Sequence, residues 1–459
     1  MIDDELHVRT SSTPLTKGGI VADLLDSPLI ESYRYREDGP PTTAVATAPA
    51  SPVGWPSYKG WVVVTEADPQ RERWVATYES GADSRSQAGI MGDAVAIAAA
   101  DTDTTAYTRL DQAAATERRR ADGLAAQVAS QALEADIYIS DREYLHAATW
   151  RVARGVAVCR PDQALPLIGL YLRAQGDFRI TSNFTCNRGL YYWVGMREVL
   201  PATWRWFAAC VQHDAALGAH DFGELGQSLL QRVERALEAR DRLHIALNQP
   251  QHNDTRREVL TALDDVLIDL MGAVDVSARV AHRVLGLPPA GEFRAAWQNT
   301  SWRAQLAQGA AALAKVTASG TVGLDALTIL RLLRNSVHGT ALQAIALQEA
   351  DVRSELSMIG LPSDATDVLA AMERLGGEVA WGVRGLLPDR VLVDAGLFLE
   401  ALIPHILKLL NALMGHTPVE TLPHVKLSAD DCRPPAPDPR NTGIWDEWVR
   451  TSIRWQLGL

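Results

Sequence analysis

Cysteine is scarce: the 459-residue chain has four, at Cys159, Cys186, Cys210 and Cys432, and no two share a CxxC spacing. Thiols scattered in this way suggest neither a disulfide framework nor a cysteine-based zinc site. Long apolar runs are also missing. No stretch reaches the roughly 18 uncharged residues expected of a membrane span. The most apolar segment, "ALIPHILKLLNALMG", is interrupted by His405 and Lys408. The start, "MIDDELHVRTSSTP", is acidic and polar, unlike a secretory signal. These absences lead us to expect a cytoplasmic protein without a membrane partner. A basic excess is absent too, with a net charge of −12. Sequence-independent duplex binding needs a basic surface that displaces counterions, so it is disfavoured. A small arginine-lined site for single-stranded nucleic acid, or an acidic metal site, remains compatible with that charge. There is also no nucleophile elbow and no Gly-rich phosphate loop.

The chain is too long for one ordinary core, and 47% hydrophobic with 22% charged residues is a globular mixture. Residues 39–57, "GPPTTAVATAPASPVGWPS", read as an extended insertion. Before it, "GGIVADLLDSPLI" reads as a strand or a short helix; after it, "GWVVVTEADP" is a β-branched strand. "RERWVATYES", "AGIMGDAVAIAAA" and "TRLDQAAATERRRADGLAAQVASQALEA" are expected to be helical. "DIYIS" and "GVAVC" read as strands around a helix at "REYLHAATWRVA", and "PDQALPLIGLYLRAQG" as a helix opened by Pro-Asp. Strands alternating with helices indicate an α/β domain with a parallel sheet. From about residue 200 the strand signals fade, and the expectation is an all-α domain closed by a helix at "IWDEWVRTSIRWQL".

Two constellations carry chemistry. The first is acidic. In "DGLAAQVASQALEADIYISDREYL", Asp122 is expected to open a helix and Asp141 to follow a short apolar strand. Strand ends of a parallel sheet face one crevice, where ligands bind. Two carboxylates there repel each other unless a cation joins them, and such oxygen ligands suit Mg2+ or Mn2+. The bland alternative makes Asp122 a first-turn residue and Asp141 an N-cap. This stretch resembles the C-terminal half of PIN-domain nucleases. The resemblance spans roughly residues 18–178 and implies a four-acid metal site: Asp26 after an early strand, Glu66 after the next, then Asp122 and Asp141. Asp68 and Asp93 compete for the second place. The implied chemistry is metal-activated water attacking a phosphodiester.

The second constellation is "RLLRNSVHG", residues 331–339. On a helix Arg334 and His338, four apart, share a face, with Arg331 one turn earlier and Asn335 beside them. Arginine can hold a phosphate through two parallel hydrogen bonds, and histidine can move a proton near neutral pH. "RDRLH" (Arg240 to His244) and "RVAH" (Arg279 to His282) have similar spacing but lack the adjacent Asn and the following Gly. The bland alternative is a helix C-terminus stopped by Gly339, with the basic groups complementing the dipole. The segment resembles the signature of HEPN-domain ribonucleases, all-helical proteins with an Arg, often followed by Asn, four to six residues before a His. Arg331, with six residues between it and His338, meets that spacing counted as intervening residues, whereas Arg334 with Asn335 has the commoner Arg-Asn form but is one residue short, with three between. The resemblance implies metal-free RNA cleavage, needing no cofactor, and a two-fold homodimer.

The resulting expectation is a PIN-like α/β domain at 1–178, a connecting segment at 179–220, a HEPN-like all-helical domain at 221–416, and a loop with a final helix at 417–459. The implied function is an endoribonuclease or RNA-targeting effector of a prokaryotic toxin, abortive-infection or antiphage-defence type, with RNA as substrate and an inhibitory or activating protein partner. The alternative is a non-catalytic helical interaction or sensor subunit with degenerate nuclease folds.

Overall fold

The computed structural model describes residues 2–3, 17–25, 27–35, 60–68, 73–80, 85–91, 111–131, 133–140, 157–181, 184–249, 252–339, 342–348, 355–361, 365–387, 390–436 and 443–459. The chain divides into two compact units, one of Met1–Cys186 with Trp455–Gly458, the other of Asn187–Arg454 with Leu459.

The first unit is built on one sheet. Its described strands are β1 (Ile2–Asp3), β2 (Tyr33–Tyr35), β3 (Gly60–Asp68), β4 (Arg73–Ser80), β5 (Arg85–Met91), β6 (Ile137–Ile139) and β7 (Ala157–Cys159). They lie in the order β5-β4-β3-β2-β1-β6-β7. The run β3-β2-β1-β6-β7 pairs in parallel, and β4 and β5 extend it as an antiparallel meander. Alternation explains why both faces are covered. Tyr33, Tyr35, Val62, Val64, Trp74, Ala76 and Tyr138 share one core with Ala121, Leu124, Ala125, Val128 and Ala129 of the helix Gln112–Gln131. Trp61, Val63 and Ile139, between or beside those positions, are buried as well. We label the helices α1 (Lys17–Leu25), α2 (Gln112–Gln131) and α3 (Pro161–Ala174). A short hairpin of β8 (Arg179–Thr181) and β9 (Phe184–Thr185) ends the unit.

Several expectations change here. Of the two readings of "GGIVADLLDSPLI" the short helix is the one present, so the strand that the resemblance implied before Asp26 is a helix; the strand that ends in an acid near the sheet's middle is β1, with Asp3. "RERWVATYES" is not a helix but includes β4, because its period of two puts Trp74 and Ala76 on the core side and pairs the run with β3. The first residues of "AGIMGDAVAIAAA" belong to β5. The long helix expected over "TRLDQAAATERRRADGLAAQVASQALEA" is present as Gln112–Gln131, so Asp122 lies within it and does not open it. The strands at 60–68, 137–139 and 157–159 and the helix at 161–174 are as anticipated.

The second unit is mainly helical. Its helices are α4 (Arg188–Val199), α5 (Thr203–Leu217), α6 (Asp221–Leu247), α7 (Asn253–Val284), α8 (Thr300–Gly309), α9 (Ala311–Lys315), α10 (Val322–Gly339), α11 (Thr366–Arg374), α12 (Ala395–His416) and α13 (Glu447–Gln456). The segment expected as a connection, 179–220, is therefore a hairpin and two helices. α6 and α7 pack along their lengths as a long helical hairpin, and α10 and α12 pack against it. α12 is long and apolar enough to cross a membrane by length and composition. Its Phe398, Leu399, Leu402, Ile403, Ile406 and Leu410 are nonetheless buried inside the unit, and it packs on α5, α6, α7 and α10.

The unit is not all-helical. Gln343–Gln348 (β10), Glu355–Gly360 (β11), Val383–Leu387 (β12) and Arg390–Asp394 (β13) form an antiparallel sheet in the order β10-β11-β13-β12. α10 ends at Gly339, where the helix-end alternative put its stop, and "QAIALQ", within the stretch expected to be all-helical, pairs with β11 instead. Likewise "DATDVLAAMERLGGEVAWGV" is helical only through Arg374; Gly377 and Gly382, with φ of 90° and 70°, then turn the chain into β12. Ahead of α13, Trp445 packs edge-on against Trp193 and Trp204, at 5.2 and 5.3 Å between ring centroids. Arg197 lies 4.5 Å from the Trp204 centroid, and burial lowers its pKa to about 10.

Candidate functional site

α10 explains why "RLLRNSVHG" looks half like core. Thr321 caps its start by accepting from Leu324 N–H at 3.2 Å, and Asp325 in the first turn is held by Arg374 at 2.7 and 3.0 Å. Ala326, Leu327, Ile329, Leu330 and Leu333 are buried. Arg331 and Arg334 flank that stripe and are half-buried, while Asn335 is exposed. Arg334 Nη1 lies 3.5 Å from Asn335 Oδ1, at the limit of a hydrogen bond, and its buried Nε has no partner among the described residues. The backbone puts His338 in the last turn, one turn after Arg334. The side chain of His338 lies outside the described residues.

Arg334 is not turned simply to water. It acts through space on Asp275 of α7, together with Arg279 of α7 and Arg232 of α6. Burial raises the Asp275 pKa, and the three guanidinium groups only partly oppose that rise. The Arg232 guanidinium rests where Gly272 leaves space; any side chain there would collide with it. It also lies 3.4 Å from Asp269, which Arg235 contacts at 3.1 Å.

The two similar Arg–His pairs have different surroundings. Arg240 is buried and meets Glu400 of α12 through Nη2 at 2.6 Å and Nε at 3.2 Å. His244, one turn on, puts Nε2 2.8 Å from the same oxygen, close but poorly aligned. Burial pushes the Glu400 carboxyl up, but the close approach of His244 and the charge and bonds of Arg240 outweigh it and bring the pKa down to about 2. His282 is a core residue: Nε2 is 3.0 Å from Pro288 O, and Trp302 Nε1–H donates to Nδ1 at 3.1 Å. With Trp302 donating, Nδ1 must accept, so Nε2 carries the proton and the ring is neutral.

The acidic residues are not brought together as a described site. Asp122 lies mid-helix in α2, buried, and its Oδ1 accepts the Tyr35 hydroxyl at 2.9 Å. It neither opens the helix nor sits in its first turn, because α2 runs through it with Ala121, Leu124 and Ala125 on the sheet-facing side. Glu66 stands on β3 opposite Trp74, beside a break in register; its side chain lies outside the described residues, as do Asp26, Asp93 and Asp141. Asp68 ends β3. Among the described residues no group of three or more His, Cys, Asp or Glu could hold a metal ion.

No protein-family model, curated protein or solved structure matches this chain. The functional reading therefore rests on the site itself. Sequence reasoning missed Asp275, Arg232 and the part played by Arg279. Their signal was an i, i+4 Asp–Arg pair on α7, with Gly272 one turn before it.

Proposed function

We propose that the protein is an RNA-targeting effector, an endoribonuclease of the toxin or antiphage-defence kind, whose metal-free chemistry is carried by Arg331, Arg334, Asn335 and His338. The observation that carries this reading is the gathering of Arg331, Arg334 and Asn335 at the end of α10, where Arg334 makes no ion pair among the described residues. The Arg240–His244 pair is neutralised by Glu400, and His282 is fixed in the core, whereas Arg334 forms no ion pair among the described residues and acts on Asp275 only through space. In the proposed reaction an arginine holds the scissile phosphate in a bidentate grip. His338 accepts the proton of the ribose 2′-hydroxyl as that oxygen attacks phosphorus. The bond from phosphorus to the 5′-oxygen breaks, and that oxygen takes up a proton. A homodimer places a second His338 across a two-fold axis as the acid, and an inhibitory or activating partner fits an effector of this kind.

The parallel run β3-β2-β1-β6-β7 supports a PIN-like reading of the first unit, with Mg2+ or Mn2+ at Asp26, Glu66, Asp122 and Asp141. One observation favours the non-catalytic alternative there: the Asp122 carboxylate already bonds Tyr35 within the core. RNA cleavage by the whole protein, with and without EDTA, tests both arms. EDTA-resistant cleavage lost in His338→Ala supports the α10 site. EDTA-sensitive cleavage lost in Asp141→Asn, with Mn2+ binding at millimolar concentration by calorimetry, supports the metal site. No cleavage under either condition favours the interaction or sensor reading.

A further inference from the structure

The sheet β10-β11-β13-β12 has two edges, and they differ in how they are protected. Unpaired N–H and C=O groups along an edge strand can pair with another chain, so edges usually carry a charge, a bulge or a proline. β12, "VRGLL", holds the exposed Arg384 and has a break in register between Gly385 and Leu387. β10, "QAIALQ", has no such device: it contains no charge, proline or glycine, and it pairs with β11 without a shift. Its run Ala344–Leu347 is apolar at every position. A half-exposed strand alternates apolar with polar residues, whereas a continuous apolar run fits a strand covered on both faces. The inner strands of this sheet have that character. Met358 and Ile359 on β11, and Leu392 and Val393 on β13, are neighbours along their strands and all buried. Helices supply cover on one face, since α12 packs on β11 and β13, α7 packs on β10, and α7 and α12 pack on each other. Among the described residues β10 pairs with β11 alone. It has the composition of an inner strand and the position of an outer one.

We propose that β10 is a dimer interface: the β10 strands of two copies pair antiparallel across a two-fold axis and join two four-stranded sheets into one continuous sheet. A two-fold axis perpendicular to the sheet sets a strand against its own reverse, so the surface must be complementary to itself. With no charge in β10, no register puts like charges opposite each other. Pairing β12 with itself would instead gather two Arg384 side chains and two bulges in one short ladder. The protected edge also ends the assembly. Once β10 is paired only β12 edges remain, so the sheet closes at two copies and does not grow into a fibre. The partner is therefore a second copy of this chain. At most about 14 Å of extended chain separates Gly339, the end of α10, from Gln343, which keeps the α10 end of each copy close to the interface. The inference gives the homodimer of the preceding reading an interface, and it does not need that reading's chemistry.

The test is sedimentation equilibrium of the full chain, which should be a dimer at micromolar concentration. Ile345→Lys and Ala346→Lys each bring like charges together across the axis and should raise the dimer dissociation constant at least about tenfold. Neighbouring positions point to opposite faces, so only one of the two faces α7; melting curves identify it, and the other variant carries the test. Leu217→Lys, at the end of α5 and 54% exposed, should leave the dimer intact. Hydrogen exchange on the wild-type protein needs no variant and keeps the test alive if both lysine variants unfold. Amides within β10 should lose protection on dilution to the monomer, and amides within β12 should not. A strict monomer overturns the proposal and leaves β10 to a strand from another protein. A dimer indifferent to the folded lysine variant, exchange in β10 that ignores dilution, or assembly beyond two copies overturns it as well. The nuclease reading fails separately. A dimer that follows the lysine variants without any RNA cleavage leaves the interface standing, whereas EDTA-resistant cleavage by a strict monomer removes the interface alone.

Discussion

Three arginine–histidine pairs lie on helices of one unit, and their environments differ more than their spacings. Arg240–His244 is closed by Glu400. The histidine of Arg279–His282 is held between Trp302 and Pro288, while its exposed arginine acts through space on Asp275 and Glu292. Arg334–His338 ends a helix, and its arginine acts on Asp275 with no ion pair among the described residues. A motif of two residue types therefore says little about chemistry until the counter-ions are known. A carboxylate in contact turns such a pair into a packing device; a carboxylate held at a distance leaves it able to take a ligand.

The largest effect should separate the first pair from the third. His338→Ala should cut EDTA-resistant RNA cleavage roughly 100- to 10,000-fold, the usual cost of losing a general acid–base group. Its melting temperature should hold, since changes away from the core usually stay within about 0.5 kcal/mol. His244→Ala should leave the chemistry intact and lower stability instead. Cleavage and melting curves on the same preparations decide it; equal loss of cleavage in both variants would erase the distinction. Arg331→Ala beside Arg334→Ala then shows which arginine holds the phosphate.

The second pair gives the next largest effect. His282→Ala removes a buried ring and strands Trp302 Nε1 and Pro288 O. The cavity and the unpaired groups together should cost about 3 kcal/mol, readable by urea denaturation. A cost under about 1 kcal/mol would mean that water or repacking replaces the ring easily. Arg240→Ala should cost somewhat less, about 2 kcal/mol, because the Glu400 it leaves behind still reaches solvent.

How much of this could be read from the chain depends on where the determining contact lies. The helical pattern of 221–247 and 253–284 was legible because the apolar period is local. So was the β3 strand, from its run of valines. "RWVATYES" and "QAIALQ" misled because short runs fit both periods, and pairing with β3 or β11 decides between them. Asp122 misled for a similar reason: nothing nearby shows that Tyr35, 87 residues away, will bond it. The arginines of α10 were legible as a group, but Asp275 and Arg232 were not, since only the packing of α10 on the α6–α7 hairpin makes them neighbours. Glu400 reaches Arg240 and His244 from another helix, and Asp275 reaches Arg334 from another helix.

The smallest effect tests that distinction through protons. Glu400 falls from its ordinary 4.5 to about 2 in the folded protein, so its charged form is favoured by folding. That stabilisation is complete above about pH 4.5 and is lost as the pH falls from there towards 2. The full shift would be worth about 3 kcal/mol by linkage. The Glu400 side chain is 41% exposed, so solvent screening reduces this to about 1 kcal/mol. Asp275 has the opposite sign. Burial raises its pKa above the ordinary 3.8, so the folded state holds the proton more tightly than the unfolded chain does. Its contribution favours folding at pH values below the ordinary 3.8, and that advantage disappears as the pH rises through the raised value. Urea titrations between pH 2 and 7 should therefore diverge. Glu400→Gln should flatten the acid loss, while Asp275→Asn should raise stability near neutrality and leave a steeper acid loss. Parallel curves for the two variants would mean that the contacting and the distant carboxylate are alike in their effect, and the contrast between the closed and the open arginine–histidine pairs would fall with them.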